Sequence, residues 1–426
     1  MVIKRSFFKC LVLIVLLIVF LIPFGVSAAD LIGNVFTIAD YIDNNKNLKE
    51  VNPVIAYNSQ RKEYLVVWYN DRDGNDDLRA QRVSHDGRLL GGPFYIVGGP
   101  GNERRYPDVA YNSGHDQYLV VWENYEPNIY CKSIRARRVS GTGEMLDITD
   151  IIVINSGNNF YSESAPAVAY ASTSDLYTLV WSEADKIKNV YTIYGRPIDE
   201  NGTMYGVYEI SKGPEPRLNP DIAYNRSINR HLVVWEQLIG PYWKIKGRQV
   251  HGDGETFDAI RNYSNLINNS NETKAAVAAV PNPTGNIKFM VALQTLYGLN
   301  DHDVIGLPVN EDGSGGARFF ISNATADETS PTIVGCESNQ QYYAAWRFHH
   351  GVVDNPIKAR AYNISGSPAS QNFILSGVAS DLPAVACGLA GDFFIVWQDL
   401  PGSSATHTNI FGQIIGNRLY LPMIVN

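Results

Sequence analysis

A tryptophan ends an apolar run at a fixed offset from a proline, again and again along this chain. Pro53 and Trp68, Pro107 and Trp122, Pro166 and Trp181, Pro220 and Trp235, and Pro331 and Trp346 each stand 15 residues apart, and Pro383 and Trp397 stand 14 apart. The residues between them recur as well. Pro107-Asp108-Val109-Ala110-Tyr111 leads to Leu119-Val120-Val121-Trp122, and the other copies follow the same plan. A worn copy starting at Ala275 carries Leu293 where the Trp would stand, so the copies number seven and only Trp243 falls outside the repeat position. Self-similarity at roughly 50–60 residues marks an array of equal structural units.

Each unit reads as four short strands. The first is Pro-x-Val-Ala-Tyr and the second is the apolar run into Trp. The third has a small residue at its centre, as in Leu78-Arg79-Ala80 or Ile193-Tyr194-Gly195. A Gly turn and a short strand such as Phe94-Tyr95-Ile96 complete the unit. The second strand is apolar on both faces, which predicts packing on both sides rather than a half-solvated sheet. The small residue of the third strand is expected where a neighbouring blade approaches closely. The fold class that follows is all-β: a single seven-bladed β-propeller of four-stranded antiparallel blades.

Residues 1–29 read as a secretory signal peptide: Lys4, Arg5 and Lys9, an apolar stretch from Leu11 to Phe24, then Val26-Ser27-Ala28. Residues 30–417 form the propeller, with repeats starting near 53, 107, 166, 220, 275, 331 and 383. Val35-Phe36-Thr37-Ile38 matches a fourth strand, so residues 34–39 are expected to complete the last blade and close the ring. Residues 418–426 are a C-terminal tail or an edge strand, the competing candidate for that closure. Of 35 basic residues, those outside the leader number 35 less 3, or 32, against 43 acidic ones. That balance disfavours nucleic acid and anionic membrane surfaces as partners. Outside the leader the cysteines are Cys131, Cys336 and Cys387. Cys336 and Cys387 sit in first strands of adjacent repeats but are offset by one position, and read best as small buried hydrophobes.

Repeats of the form Pro-x-Val-Ala-Tyr, Leu-Val-Val-Trp, Ile-x-Gly-Arg and Asp-Gly resemble those of secreted bacterial β-propeller repeat proteins. The resemblance covers about Val35 to Gly416 and implies an extracellular or cell-surface location. Most such proteins have no assigned activity, so it carries over no catalytic residue. An unknown extracellular ligand, glycan or protein, is the partner it leaves open. The chain has no Gly-His with Trp-Asp pairing, no kelch Gly-Gly and no Ser-x-Asp-x-Gly-x-Thr-Trp box.

Loops joining second to third strands share one face with the connections between blades. There Glu123, Glu183, Glu236 and Asp399 follow the repeat Trp, and a carboxylate pair is what glycoside cleavage needs. Recurrence with the repeat favours a solvated or loop-pinning role instead. Asp71, Asp73, Asn75 and Asp77 crowd oxygen ligands into one loop, which makes calcium a candidate cofactor. His302, His349, His350 and His407 fall in three adjacent blades and are candidate transition-metal ligands if their loops converge. Tyr125, Trp243, Tyr297 and Phe348 are candidate ligand-binding rings, because flat rings with polar edges suit sugars and peptides. The expected function is a secreted, non-catalytic binding module. The alternative is an extracellular carbohydrate-active hydrolase or lyase with carboxylates in the axial funnel.

Overall fold

The computed structural model describes residues 30–39, 49–71, 76–127, 130–155, 157, 160–256, 258–265, 269–282, 284–298, 301–350, 355–375, 380–388, 391–399 and 408–416. The segments 1–29 and 417–426 lie outside them. Seven four-stranded antiparallel sheets form the molecule, and strand order follows chain order in six. With the blades numbered in order from the repeat that starts near Pro53, blade 2 is representative: Glu103–Asn112, Gln117–Glu126, Cys131–Ser140 and Ile151–Asn155. The seventh sheet takes Ser380–Cys387, Phe393–Asp399 and Ile410–Gly416, and its fourth strand is the N-terminal segment Asp30–Ala39, paired antiparallel to Ile410–Gly416. Each blade thus holds four strands, and the ring is joined non-covalently where the first described residues meet the last.

The core lies between blades. Leu119, Val120, Val121 and Trp122 have no exposed surface, and all six repeat Trp residues are equally buried. Even-numbered and odd-numbered side chains of one second strand enter different clusters: Tyr118, Val120 and Trp122 pack with blade 1, while Leu119 and Val121 pack with blade 3. Burial on both sides is why this strand lacks polar alternation.

Two expectations need correction. The small residue of the third strand does not mark the approach of another blade. It lies opposite a fourth-strand side chain of its own blade: Ala80 faces Phe94, Gly195 faces Tyr208 and Gly306 faces Phe319. A Cβ added at Gly195 or Gly306 would overlap the Tyr208 or Phe319 ring. The second concerns Cys336 and Cys387, which are disulfide-bonded, with Cα atoms 5.5 Å apart. Their one-residue offset does turn them to opposite faces of equivalent strands. In a ring of blades, however, opposite faces are the two that meet.

Candidate functional site

Every first strand carries a β-bulge immediately before its Pro position. The register slips between Val51 and Val54, Arg105 and Asp108, Ser164 and Ala167, Leu218 and Asp221, Thr273 and Ala276, Thr329 and Thr332, and Asp381 and Ala384. The residue before the Pro position is left-handed each time, with φ between 47° at Leu382 and 56° at Asn52. Glycine would adopt this conformation without strain, yet none of the seven is glycine. They are Asn52, Tyr106, Ala165, Asn219, Lys274, Ser330 and Leu382. Such strain persists only where the surroundings impose it. Here the preceding blade helps: the amide of Asn52 donates to Gln398 Oε1 at 2.8 Å, that of Lys274 to Glu236 Oε1 at 2.8 Å, and that of Ser330 to Gln294 Oε1 at 3.0 Å. Each acceptor directly follows the Trp position of its blade. Glu236 therefore pins a bulge.

These seven residues surround one end of an axial cavity of about 510 Å³, lined by first strands of all seven blades. The end is the one shared by second-to-third loops and blade connections. Deeper in the wall stand two carboxylates, Asp108 and Asp221, one residue past the Pro in blades 2 and 4. The first strand has no partner on its channel side, so its amides there need acceptors. Asp108 Oδ2 accepts from the Val168 amide at 2.7 Å, and Asp221 Oδ2 from the Val277 amide at 2.7 Å. Asp221 Oδ1 also accepts from Ile222, at 2.9 Å. Burial lifts the Asp108 carboxyl to about 7, opposed by the Val168 and Val109 amides and reinforced by the Asp221 charge. Burial likewise lifts Asp221 to about 6.

Beside this mouth, blade 2 forms a smaller pocket of about 250 Å³ lined by Glu103, Arg105, Tyr106, Glu123, Tyr125 and Lys132. Strand register builds it: Tyr125 lies opposite Glu103 on one side and Lys132 on the other, and Glu123 lies opposite Arg105. Lys132 Nζ is 2.5 Å from Glu123 Oε1; Arg105 is 2.5 Å from Asp76 and 3.4 Å from Glu103. Tyr106 lines both this pocket and the axial cavity.

Of the four candidate rings, Tyr125 is the one in this pocket, and none lines the axial cavity. Trp243 sits near the tip of a blade 4 hairpin, its amide donating to Asn271 Oδ1 at 2.9 Å. Tyr297 is half exposed at the end of a blade 5 strand. Phe348 lies under Lys358, whose Nζ is 3.0 Å from the ring centroid. Among the acids, Glu123 is paired with Lys132, and Asp399 Oδ1 accepts the Asn409 amide at 2.6 Å. Glu183 lies opposite Glu163, and burial, then that neighbour's charge, pushes it up to about 7.

Asp73 and Asn75 of the candidate calcium loop, and His407, lie outside the described residues. Asp71 ends a strand, and Asp77 accepts the Gly99 amide at 3.0 Å and lies 3.7 Å from Arg104. His302 Nδ1 is 2.6 Å from Asp327, His349 bonds Asn355, and His350 stacks on Phe348. Among the described residues, the trio with ligand atoms within 4.8 Å of one another is His115, Asp175 and Glu200, on the opposite face. Sequence reading missed the pre-proline ring, Asp108 and Asp221. The pre-proline residue varies from copy to copy, but so do the residue before it and the residue after the Pro position, so residue type alone carries no signal.

No protein-family model matches the chain, and no curated protein matches it. Solved structures do share its fold. A protein of unknown function from Dyadobacter fermentans is similar with a TM-score of 0.55 at 10% identity, over 92% of this chain and 100% of that one. A fungal alcohol oxidase in complex with copper reaches 0.51 at 10% identity, over 92% and 76%. A Hadza microbial sialidase reaches 0.50 at 10% identity, over 74% of this chain and 66% of that one. Likeness at this identity establishes the fold alone.

Proposed function

We propose that the protein is an exported, non-catalytic binding module that takes a carbohydrate at the mouth of its axial cavity. The observation that carries this is the pre-proline ring: one strained backbone repeated seven times, presenting Asn, Tyr, Ala, Asn, Lys, Ser and Leu side chains. A repeat kept only for packing would keep the side chain, as the Trp position does. The cavity, about 510 Å³, falls within the usual span of ligand sites, roughly 300–1,000 Å³. Its amide, hydroxyl and ammonium groups beside apolar Leu382 and Tyr106 suit a polyhydroxylated ligand with apolar ring faces. A sialidase among the structures with this fold makes sugars the natural first probes. Export is supported by the leader-like pattern of residues 1–29 and by the resemblance to secreted repeat proteins.

A glycan array with the purified protein tests the binding. Signal lost in Lys274→Ala and Asn219→Ala supports the mouth, and an array without signal on any sugar contradicts the reading. N-terminal sequencing of protein recovered from the medium tests export. Asp108 and Asp221 favour one second reading, a hydrolase, since they are acids in the channel wall, present in two of the seven blades, with raised pKa values. Against it, both are already engaged by backbone amides. Reducing-sugar release that disappears in Asp108→Asn would establish that alternative.

A further inference from the structure

Resting on the reading of the mouth as a sugar site, we infer that the blade 2 pocket is a second subsite, and that the ligand is a chain of uncharged sugars crossing Tyr106. Tyr106 is the shared wall: it is 51% exposed, lines both cavities, and is held left-handed by the bulge. The bulge sets the backbone from which this half-exposed ring projects between the two cavities. The pocket, about 250 Å³, is smaller than most independent ligand cavities, roughly 300–1,000 Å³. It fits an extension of the mouth better than a separate site.

Its charges decide between neutral and acidic sugars. Glu103 and Glu123 stand against Arg105 and Lys132, and Asp76 takes a further share of Arg105. Among the described residues of this pocket, both cations are already paired, so an incoming carboxylate or sulfate finds no unpaired cation among them to offset its desolvation. A neutral sugar hydroxyl both donates and accepts, so it can bond to either partner of the Lys132–Glu123 pair without separating it. Tyr125 and Tyr106 offer flat surfaces for the ring's C–H faces.

Titration calorimetry with mono-, di-, tri- and tetrasaccharides of glucose, mannose and xylose, set against galacturonate oligomers, tests the assignment. Binding of at least one neutral series should strengthen by about tenfold between the monosaccharide and the longer chains, the gain from one added aromatic contact with its hydrogen bonds. Tyr125→Ala should bring the longer chains down to the monosaccharide affinity without lowering the melting temperature, and Lys132→Gln should do the same to affinity while lowering melting modestly, because it leaves buried Glu123 without its cation. Affinity independent of length, or stronger for galacturonate oligomers than for every neutral series, overturns the second subsite while the mouth still binds sugar. Absence of binding by every probe overturns both readings together.

Discussion

The residue at the Trp position of each second strand and the residue that precedes each first-strand Pro position hold equivalent places in all seven blades, yet they are constrained in different ways. At the first position the side chain recurs: six of the seven are Trp, each without exposed surface. At the second the backbone recurs, with φ near +50° in every blade, and the side chain does not. A residue enclosed by two blades is selected by volume. A residue whose backbone is dictated by a bulge has its side chain left free, and here all of those side chains converge on one opening. On the proposed reading, structure and binding are carried by two rings of the same repeat.

Replacing the Trp position should have the largest effect. Trp122→Ala empties a site buried between blades 1 and 2 and should cost about 3–5 kcal/mol. Thermal melting should fall steeply while ligand affinity, measured well below the transition, is kept. Lost affinity with unchanged melting would erase the distinction between the rings. Next comes the seam between blades 6 and 7, where the bonded cysteines are 51 residues apart in sequence. Alanine at both Cys336 and Cys387 should cost about 2–4 kcal/mol, and reductant should lower the melting temperature of the parent but not of the variant.

The channel acids should give a smaller, pH-dependent effect. Their folded pKa values of about 7 and about 6 lie above the ordinary 3.8, so the proton is held more tightly in the folded state. Their contribution is full below pH 3.8 and is lost as pH rises through 6 to 7. The loss is on the order of 1–2 kcal/mol, reduced because both acids face an open channel. Asn at both positions keeps an acceptor for Val168 and Val277 and should flatten the fall in melting temperature between pH 4.5 and 8. Smallest is the strain itself. Leu382→Gly should raise stability by about 0.5 kcal/mol, the left-handed penalty less the added chain entropy. Asn219→Gly should change melting little, since Asn already tolerates that conformation.

Legibility in the sequence follows the same division. The spacing of Pro53 from Trp68, repeated along the chain, carries blade number, strand count and doubly buried second strands, because close packing selects residue type. The mouth was not legible. Nothing about Tyr106, Lys274 or Leu382 as residue types signals a left-handed backbone, and the bulge that imposes it emerges only from pairing with the second strand. Trp243, Tyr297 and Phe348 attracted notice for their chemistry, but the register places them on hairpins outside the axial cavity. For Cys336 and Cys387 the one-residue offset is legible in sequence, but that opposite strand faces meet there follows only from the stacking of two blades.

The most direct test of the division between the rings is a single variant carrying Tyr106→Ala and Lys274→Ala, titrated with the best sugar ligand of the parent and melted alongside it. The account predicts that affinity falls by at least tenfold, on the order of 1.4 kcal/mol or more, while the melting temperature stays within about 2 °C of the parent. Unchanged affinity, or a collapse in melting comparable to that of Trp122→Ala, would contradict it.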